Sequence, residues 1–576
     1  PERRERLRAA FLATGRTDAA STWETVSEAL EAQASAWRAM RTESCLADDD
    51  ASSASWQTMA CLDTRLWHLA AVTDVLAHAD VQTVRNAQQL TASLEGLASC
   101  KDAPSLSSRS QPPDALRPRV DAARRTLSDA QAQLAAGRYA EGIRRTSALL
   151  EEIKGLDYRP LEAEVLLVHG HLHAQDGKTK DAEDILYKAL WAAEAGRDDE
   201  TVARAWNLLL WVVGDLAARP ADAERIARHA QAAVERLGRE RFPAIAADLH
   251  HRLTLVLVQQ GRYLQADAEA TQGLELARKT HGPDSLRTAE FIHNLARVRN
   301  RLRRYSESEA LHRQALALRE RHLGSEHPEL VSSVNGLALA LENLGRPEES
   351  LAGWRRAIAL HGSAGAPEHT ALAIPLSNVG QWYRTQGRVK ESREHYQKAY
   401  AIFERTYGPD HPQTAIMFAN LARLLGDEDR VEESLAQLQE ALDRLQRSLG
   451  PDSPRSATVL LYRAYVHERE EHWSEAWRDL LRARAILEKE HGPEGGNTVM
   501  IIMSLGGLAL RRGVPAEALA LCQRSRVLNE RMQGAESMDV ARDDICIAEA
   551  RLALRAPEKA VPLVERARER LASLHQ

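Results

Sequence analysis

The chain of 576 residues has little of several features that would mark a particular class of protein. Aromatic residues make up 5% of it, and it holds five cysteines. No apolar run approaches the roughly 18 residues of a membrane-spanning helix. Its 76 Lys and Arg do not exceed its 82 Asp and Glu, so the net charge of -6 lacks the basic excess of nucleic-acid-binding proteins. The sequence therefore predicts no membrane span within this chain and no nucleic-acid partner.

Cysteine is too sparse for a disulfide framework or a paired metal motif. Cys45 and Cys61 flank one short loop and could form a disulfide in an oxidising compartment, or stay reduced elsewhere. Cys522 falls at a packing position of its helix, whereas Cys546 falls at a groove-facing position and could be exposed. No nucleophile and base can be paired from the sequence, so we predict that this chain is not an enzyme and needs no cofactor.

A repeat dominates the second half of the chain. The segment Tyr407-Gly408-Pro409-Asp410-His411-Pro412 has related versions upstream and downstream. Their glycines are 42 residues apart, or 84 where one copy is degenerate. These glycines are Gly282, Gly324, Gly408, Gly450, Gly492 and Gly534. A period of roughly 20 to 50 residues is typical of stacked repeats and not of separate globular domains.

Each repeat has the pattern of two helices joined by a turn. The turn keeps the 42-residue step at Arg303, Gly345, Gly387, Asp429, Glu471, Gly513 and Arg555. Small residues occupy fixed positions around it, for example Ala296 before the turn at Arg303 and Ser308 and Ala315 after it. Because residues seven apart lie on one helix face, the small residues let two antiparallel helices pack closely.

This spacing resembles the tetratricopeptide repeat, and the 42-residue period with its Gly-Pro-Asp-His-Pro connector resembles the longer variant of kinesin light chains. The resemblance implies an all-α fold: a right-handed α-solenoid of about eleven helix pairs preceded by a small N-terminal helical segment. We divide the chain into an N-terminal helical segment (1-104), a Pro/Ser-rich linker (105-119), irregular repeats (120-260) and a regular 42-residue array (261-576).

The less regular part resembles the C-terminal regions of myxobacterial serine/threonine protein kinases. The similar stretches are 37-45, 61-66, 97-102 and 158-164. In that family a kinase domain, usually with a membrane span, precedes such a segment, and the chain starts at Pro1 without Met, so we expect residues upstream. The resemblance implies a sensory or recruiting region. It places the region outside the cytoplasm if the kinase is membrane-anchored, and in the cytoplasm otherwise.

Three stretches imitate catalytic motifs. His169 and His173 share a helix face and could hold a metal ion, but no third ligand is evident. The histidines of His467-Glu468-Arg469-Glu470-Glu471-His472 are one residue too far apart for a zinc protease. Asp176-Gly177-Lys178-Thr179 lacks the first glycine of a phosphate-binding loop. A metal-dependent helical hydrolase is therefore the weakest alternative.

The leading hypothesis is a protein-protein interaction module. In stacked pairs the first helices line a concave groove, whose inward positions carry amide and basic side chains able to hold a backbone or a carboxylate. This resembles the asparagine-lined peptide groove of kinesin light chains, and Asn-Leu-Ala recurs at 294-296 and 420-422. The candidate peptide-binding residues are Asn294, Arg297, Asn300, Arg301, Asn335, Asn343, Asn378, Gln381, Arg384, Asn420 and Arg423.

The expected partner is a protein segment that is extended or acidic. Two alternatives stay open from the residues alone. The polar residues could merely solvate a concave face. The chain could instead be a self-assembly scaffold whose N-terminal Trp-rich helices form the interface.

Overall fold

A computed structural model describes residues 2-16, 19-46, 53-94, 96-97, 100, 112-217, 219-260, 262-362, 370-492 and 495-574. These residues form 27 α-helices and no β-strand. The N-terminal segment contains α1 (Glu2–Ala13), α2 (Ala19–Leu46), α3 (Ser53–Ala77), α4 (Val81–Arg85) and α5 (Ala87–Ala92).

Eleven antiparallel pairs follow in the described part of the chain, which confirms the predicted all-α solenoid. Units 1 to 4 are α6 (Arg117–Ala135) with α7 (Tyr139–Glu152), α8 (Arg159–Gln175) with α9 (Thr179–Gly196), α10 (Asp199–Trp211) with α11 (Pro220–Leu237), and α12 (Pro243–Gln260) with α13 (Tyr263–His281). A π-helical turn, Val212–Leu216, extends α10.

Units 5 to 8 are α14 (Leu286–Arg301) with α15 (Tyr305–Leu323), α16 (Leu330–Asn343) with α17 (Pro347–Gly362), α18 (Thr370–Thr385) with α19 (Val389–Tyr407), and α20 (Pro412–Asp427) with α21 (Val431–Leu449). Units 9 to 11 are α22 (Pro454–Arg469) with α23 (Trp473–His491), α24 (Gly496–Arg511) with α25 (Pro515–Gln533), and α26 (Met538–Ala553) with α27 (Pro557–Leu574).

The recurring connector stops one helix and starts the next. At Gly408 φ is 83°, a conformation that strains other residues, and its N–H donates to Glu404 O at 2.9 Å. Pro412 then opens α20, where a missing N–H costs nothing. In unit 5 Ser285 is the N-cap of α14, because its Oγ accepts a hydrogen bond from Thr288 N at 3.1 Å.

The small positions are buried and bring the two helices of a unit together. Ala296, Ala315 and Ala441 are fully buried, as the repeat pattern predicts. The serines at the second small position add a hydrogen bond: Ser308 Oγ donates to Ala296 O at 2.9 Å, and Ser434 Oγ donates to Ala422 O at 2.7 Å. Each such bond ties the second helix of a unit to its own first helix.

The N-terminal helices pack on the first unit. Leu7, Phe11 and Trp23 share one hydrophobic core with Ala132 and Ala136 of α6. Polar contacts reinforce this junction, since Asn86 Nδ2 donates to Ala136 O at 2.8 Å. Asn86 separates the two short helices α4 and α5. Part of the predicted linker, 105-111, lies outside the described residues, and α6 begins within its end, so the domain division stays a prediction.

The predicted Cys45–Cys61 disulfide is wrong, because Cys61 pairs with Cys100 at a Cα–Cα distance of 5.6 Å. Cys61 lies well inside α3, level with the middle of α2, where Trp37 Nε1 donates to Leu62 O at 2.7 Å. Cys45 is exposed near the end of α2 and is free. The shortness of the loop between Cys45 and Cys61 is therefore not enough to pair these two cysteines.

A second disulfide joins α25 and α26 through Cys522 and Cys546. Cys522 is fully buried, as its packing position indicates. Cys546 is 9% exposed, so the expectation that it is exposed is wrong. Its side chain points to the preceding unit and not into the groove.

Successive turns of the solenoid touch each other with an offset of five or six units. Arg455, at the start of unit 9, donates to Gln259 Oε1 at the end of the first helix of unit 4. Gly345, at the turn of unit 6, lies so close to unit 11 that a Cβ there would be 2.8 Å from Met538 Cε. Five units therefore complete about one superhelical turn. We call the line of contact between turns the seam.

The seam also carries an ion pair and reaches the N-terminal segment. Arg303, at the turn of unit 5, pairs with Asp539 at the start of unit 11, and both side chains are less than 15% exposed. At the other end the ring of His327, which precedes unit 6, makes a hydrogen bond through Nε2 with Arg85 O of α4 at 2.8 Å. The first helices thus form the inner face of a superhelix whose walls are in contact.

Candidate functional site

Polar side chains on the inner face pair with each other at a step of 43 residues. Asn378 Nδ2 donates to Asn335 Oδ1 at 2.9 Å. Asn343 Nδ2 approaches Asn300 Oδ1 at 3.4 Å. The repeat is 42 residues long. Each contact therefore joins a residue of one first helix to a residue one position beyond its equivalent in the next first helix. The inner face therefore carries cross-helix amide pairs.

Each amide pair leaves hydrogen-bonding capacity unused. In the Asn335–Asn378 pair, Nδ2 of Asn335 and Oδ1 of Asn378 make no hydrogen bond in the described structure. Nδ2 of Asn300 is buried without a partner there. Asn420 contacts only Met417 Sδ, at 3.9 Å, which is a weak acceptor. The free groups of the half-buried Asn335, Asn378 and Asn420 could serve an extended backbone, which needs both donors and acceptors.

The predicted residues differ in how accessible they are. Asn294 is 7% exposed and its Nδ2 contacts His251 Nδ1 at 2.9 Å, so it belongs to the wall of the groove. Arg297 and Arg301 are exposed. The other eight are half-buried: Asn300, Asn335, Asn343, Asn378, Gln381, Arg384, Asn420 and Arg423.

Two of the predicted cationic or amide residues are already engaged within the wall. Arg384 Nη1 lies 3.3 Å from Asp427 Oδ2 of the next unit, and both side chains are less than 15% exposed. Gln381 Oε1 accepts hydrogen bonds from Tyr396 OH at 2.8 Å and from Arg384 Nε at 3.2 Å. A carboxylate of a bound segment would therefore compete with Asp427 for Arg384.

Arg423 lies in an aromatic setting that the sequence did not indicate. Its guanidinium is 4.7 Å from the ring centroid of Tyr462 and 5.1 Å from that of Tyr465. Its Nε is buried without a hydrogen-bond partner among the described residues. Tyr462 lies 42 residues after Asn420, at the position of the repeating asparagine, so the repeat step alone locates it as a departure from the pattern.

The wall beneath Asn294 contains a half-buried charge network. Burial by itself would raise the pKa of Glu290, but Arg287 and other nearby cations outweigh burial and hold that pKa at about 2. Arg287 also pairs with Asp248 of the preceding unit. Burial lowers the pKa of His251 to about 4, so its ring is neutral at pH 7. A neutral ring with a fixed neighbour holds the Asn294 amide in one orientation.

Comparison with known proteins identifies the repeat. The tetratricopeptide repeat family model matches residues 245-321, 329-402, 372-430 and 417-489. These segments are tetratricopeptide repeats (TPRs). They run from unit 4 to unit 9 and include the eleven predicted groove residues. No curated protein matches the chain.

Several solved structures resemble the TPR array. BtubC (BKLC) from P. vanneervenii is 16% identical, covers 41% of this chain and 91% of its own length, and has a TM-score of 0.31. TPR-like repeats of a kinesin-light-chain-type protein from Podosopora anserina are 25% identical over 36% of this chain and 97% of their own, with a TM-score of 0.29. A Rap protein complexed with competence and sporulation factor is 14% identical over 72% and 99%, with a TM-score of 0.44.

The stretches that imitate catalytic motifs lie at ordinary positions of the helix pairs. His169 Nδ1 makes a hydrogen bond with Thr146 Oγ1 at 2.7 Å, and burial lowers the pKa of His169 to about 4. Gly177 has a φ of 80° at the turn of unit 2, and Lys178 Nζ pairs with Asp176 at 2.8 Å. The described residues contain no group of three His, Cys, Asp or Glu placed to hold a metal ion.

A TPR array is a scaffold for protein-protein interaction. In the part of the chain that the structure describes, no helix has the length and apolar character needed to cross a bilayer. The inner face of units 4 to 9 combines amide pairs, two tyrosines and arginines that have no carboxylate partner among the described residues.

Proposed function

We propose that the chain binds an extended segment of a partner protein along the inner face of units 5 to 8. The observation that carries this proposal is the row of cross-helix amide pairs with unused donors and acceptors. An extended backbone presents N–H and C=O groups alternately, and side-chain amides can serve both. Because the pairs are fixed by their neighbours, little side-chain entropy is lost on binding.

The arginines of this face favour an acidic segment. Arg297, Arg301 and Arg423 make no ion pair with a carboxylate within the described residues, whereas Arg384 is partly neutralised by Asp427. A carboxylate that reaches the half-buried Arg423 would gain a charge-assisted hydrogen bond from its guanidinium group. Tyr465, which is 39% exposed, offers an apolar surface beside it.

A peptide-display experiment tests this proposal. Random peptides selected on the full chain should be enriched in acidic residues. The affinity of the best peptide should fall roughly 10- to 100-fold in the variant Asn378→Ala, Arg384→Ala, Asn420→Ala, the loss expected for a few buried hydrogen bonds. The far-UV circular dichroism spectrum should equal that of the wild type. The melting temperature should fall only by the small amount that loss of the Arg384–Asp427 contact causes.

The matched control is Gln397→Ala, which removes an exposed amide from the outer helix α19. Its affinity should equal that of the wild type. Unchanged peptide binding by the triple variant, or an equal loss in the control, would refute the groove assignment.

The finer role stays a prediction from the family resemblance of residues 1 to 220. By that resemblance the array would be the sensory or recruiting region of a serine/threonine kinase. Sequencing the gene upstream of the codon for Pro1 tests it, since a kinase domain in the same reading frame is expected and its absence would contradict it.

A further inference from the structure

Three arginines from distant parts of the chain come together on the inner side of the seam, where Arg301 is close enough to interact electrostatically with both Arg297 and Arg455. Arg297 and Arg301 lie on α14 of unit 5, and Arg455 begins α22 of unit 9. Arg455 is brought there by its hydrogen bond to Gln259 of unit 4, whose Nε2 in turn donates to Asp215 Oδ1 at 3.0 Å. The arginine cluster, as we call these three residues, exists only because two superhelical turns touch.

The cluster lacks the carboxylates that neutralise neighbouring arginines. On the same helix, Arg299 pairs with Asp267 at 2.7 Å, and Arg303, just past its end, pairs with Asp539. Within the described residues Arg297, Arg301 and Arg455 have no carboxylate partner. The nearby Asp215 is held by Gln259. Three positive charges therefore face one negative charge, which leaves an excess of two.

This excess affects the cluster itself. Burial lowers the pKa of Arg455 to about 10, and the positive charge of Arg301 lowers it further in the same direction. Desolvation by the surrounding walls also lowers the pKa of Arg297, although its side chain stays open to the central space; Asp215 acts to raise this pKa and Arg301 acts to lower it. Like charges brought together in a partly enclosed site destabilise the seam unless an anion is present.

The cluster is open to a ligand. Arg297 and Arg301 are exposed on the inner face, and Arg455 is half-buried. Among the residues that the structure describes, Arg297 makes one hydrogen bond, a long one of 3.4 Å from Nη1 to Asn294 Oδ1. Guanidinium groups present several N–H donors in a plane, which suits the oxygens of a phosphate group. A phosphate monoester carries a charge of about -1.5 to -2 at pH 7, which matches the excess.

We propose that Arg297, Arg301 and Arg455 form a binding site for a doubly charged oxyanion of the phosphate class, assembled across the seam. The site shares Arg297 and Arg301 with the face proposed to hold an acidic segment, but it also needs Arg455 of unit 9 and uses none of the amide pairs. Loss of phosphate binding in Arg455→Gln therefore tests the oxyanion site apart from the peptide groove. Because it uses units 5 and 9 together, an occupied site also holds the two turns in contact.

The test is a calorimetric titration of the full chain with inorganic phosphate and with pyrophosphate at low ionic strength. We expect saturable binding of both. Each of Arg297→Gln, Arg301→Gln and Arg455→Gln should weaken it roughly 10- to 100-fold, the range for loss of one charge-assisted hydrogen bond. Arg297→Gln disturbs no seam contact, so its fold should be unchanged by circular dichroism.

The matched control is Arg482→Gln, which removes an exposed arginine from the outer helix α23. It should bind pyrophosphate as the wild type does. Absence of saturable binding in the wild type, or an equal loss in the control, would overturn the proposal.

Two further titrations distinguish the sources of the oxyanion. A peptide carrying phosphoserine is compared with free phosphoserine, and the unphosphorylated peptide serves as the blank. Tighter binding of the phosphopeptide than of free phosphoserine supports an oxyanion delivered on a protein segment. Equal binding supports a small phosphorylated ligand, and binding of the blank as tight as that of the phosphopeptide would count against the site.

Discussion

The ion pair between Arg303 and Asp539 should couple two residues that are 236 positions apart in the chain. Both side chains are less than 15% exposed, so the pair is largely shielded from solvent. With an effective dielectric constant of about 20, two unit charges in contact attract by roughly 5 kcal/mol, and desolvation offsets more than half of this. We expect a coupling free energy of about 2 kcal/mol.

The assay is a double-mutant cycle with Arg303→Gln, Asp539→Asn and the combined variant. Urea unfolding gives the coupling, and small-angle X-ray scattering gives the radius of gyration. Each single variant should lower the free energy of unfolding and increase the radius of gyration, because the seam opens when the pair is broken. The combined variant should lose less than the two single losses together.

A matched pair separates opening of the seam from simple loss of an ion pair. Arg299 and Asp267 contact at 2.7 Å and are buried to a similar degree, but they join adjacent helices. Arg299→Gln with Asp267→Asn should lower stability without changing the radius of gyration. A coupling below about 0.5 kcal/mol for Arg303 and Asp539, with an unchanged radius of gyration, would refute contact between the turns.

Two further predictions concern stability. Gly336→Ala should destabilise the chain by about 1 to 3 kcal/mol, because the new Cβ would lie 2.3 Å from His312 Cε1. Gly507→Ala, with no atom within 4 Å of its Cβ, should stabilise it by about 0.5 to 1 kcal/mol; urea unfolding measures both, and equal losses would contradict the packing. Burial raises the pKa of Asp543 to about 6, so its contribution to stability is full near pH 4 and declines as the pH rises through 6. Asp543→Asn should therefore match the wild type near pH 4 and exceed it at pH 7.5 by up to about 3 kcal/mol, and parallel pH profiles would contradict this.

The 42-residue step was sufficient to predict the local backbone. Arg303 and Glu471 stand at predicted turns and have positive φ values of 62° and 57°. The glycines at the equivalent positions in other units, such as Gly345, also have a positive φ. The predicted small positions, such as Ala296 and Ala441, are fully buried. Such features depend only on neighbours within a unit or in the next unit, and every unit repeats the same signal.

The rest depends on how units accumulate. Each unit is rotated by a small angle relative to the one before it. The sum of this rotation over five units decides whether Arg455 reaches Gln259, and the angle cannot be deduced from the sequence of one repeat. The inward direction of Arg297 and Asn378 follows from helix phase, but the partners of these side chains do not. The Cys61–Cys100 pairing was missed for a similar reason, since it depends on how the chain beyond α5 returns to α3 and not on the length of the loop between α2 and α3.

Contact along the seam also limits how a partner can enter. If the walls stay closed, the inner face is reached only from the two ends of the superhelix, so a segment must be threaded by a free terminus. A segment lying between two folded domains would enter only while the Arg303–Asp539 pair is broken. Its association rate would then follow the opening rate of the seam and become independent of partner concentration at high concentration.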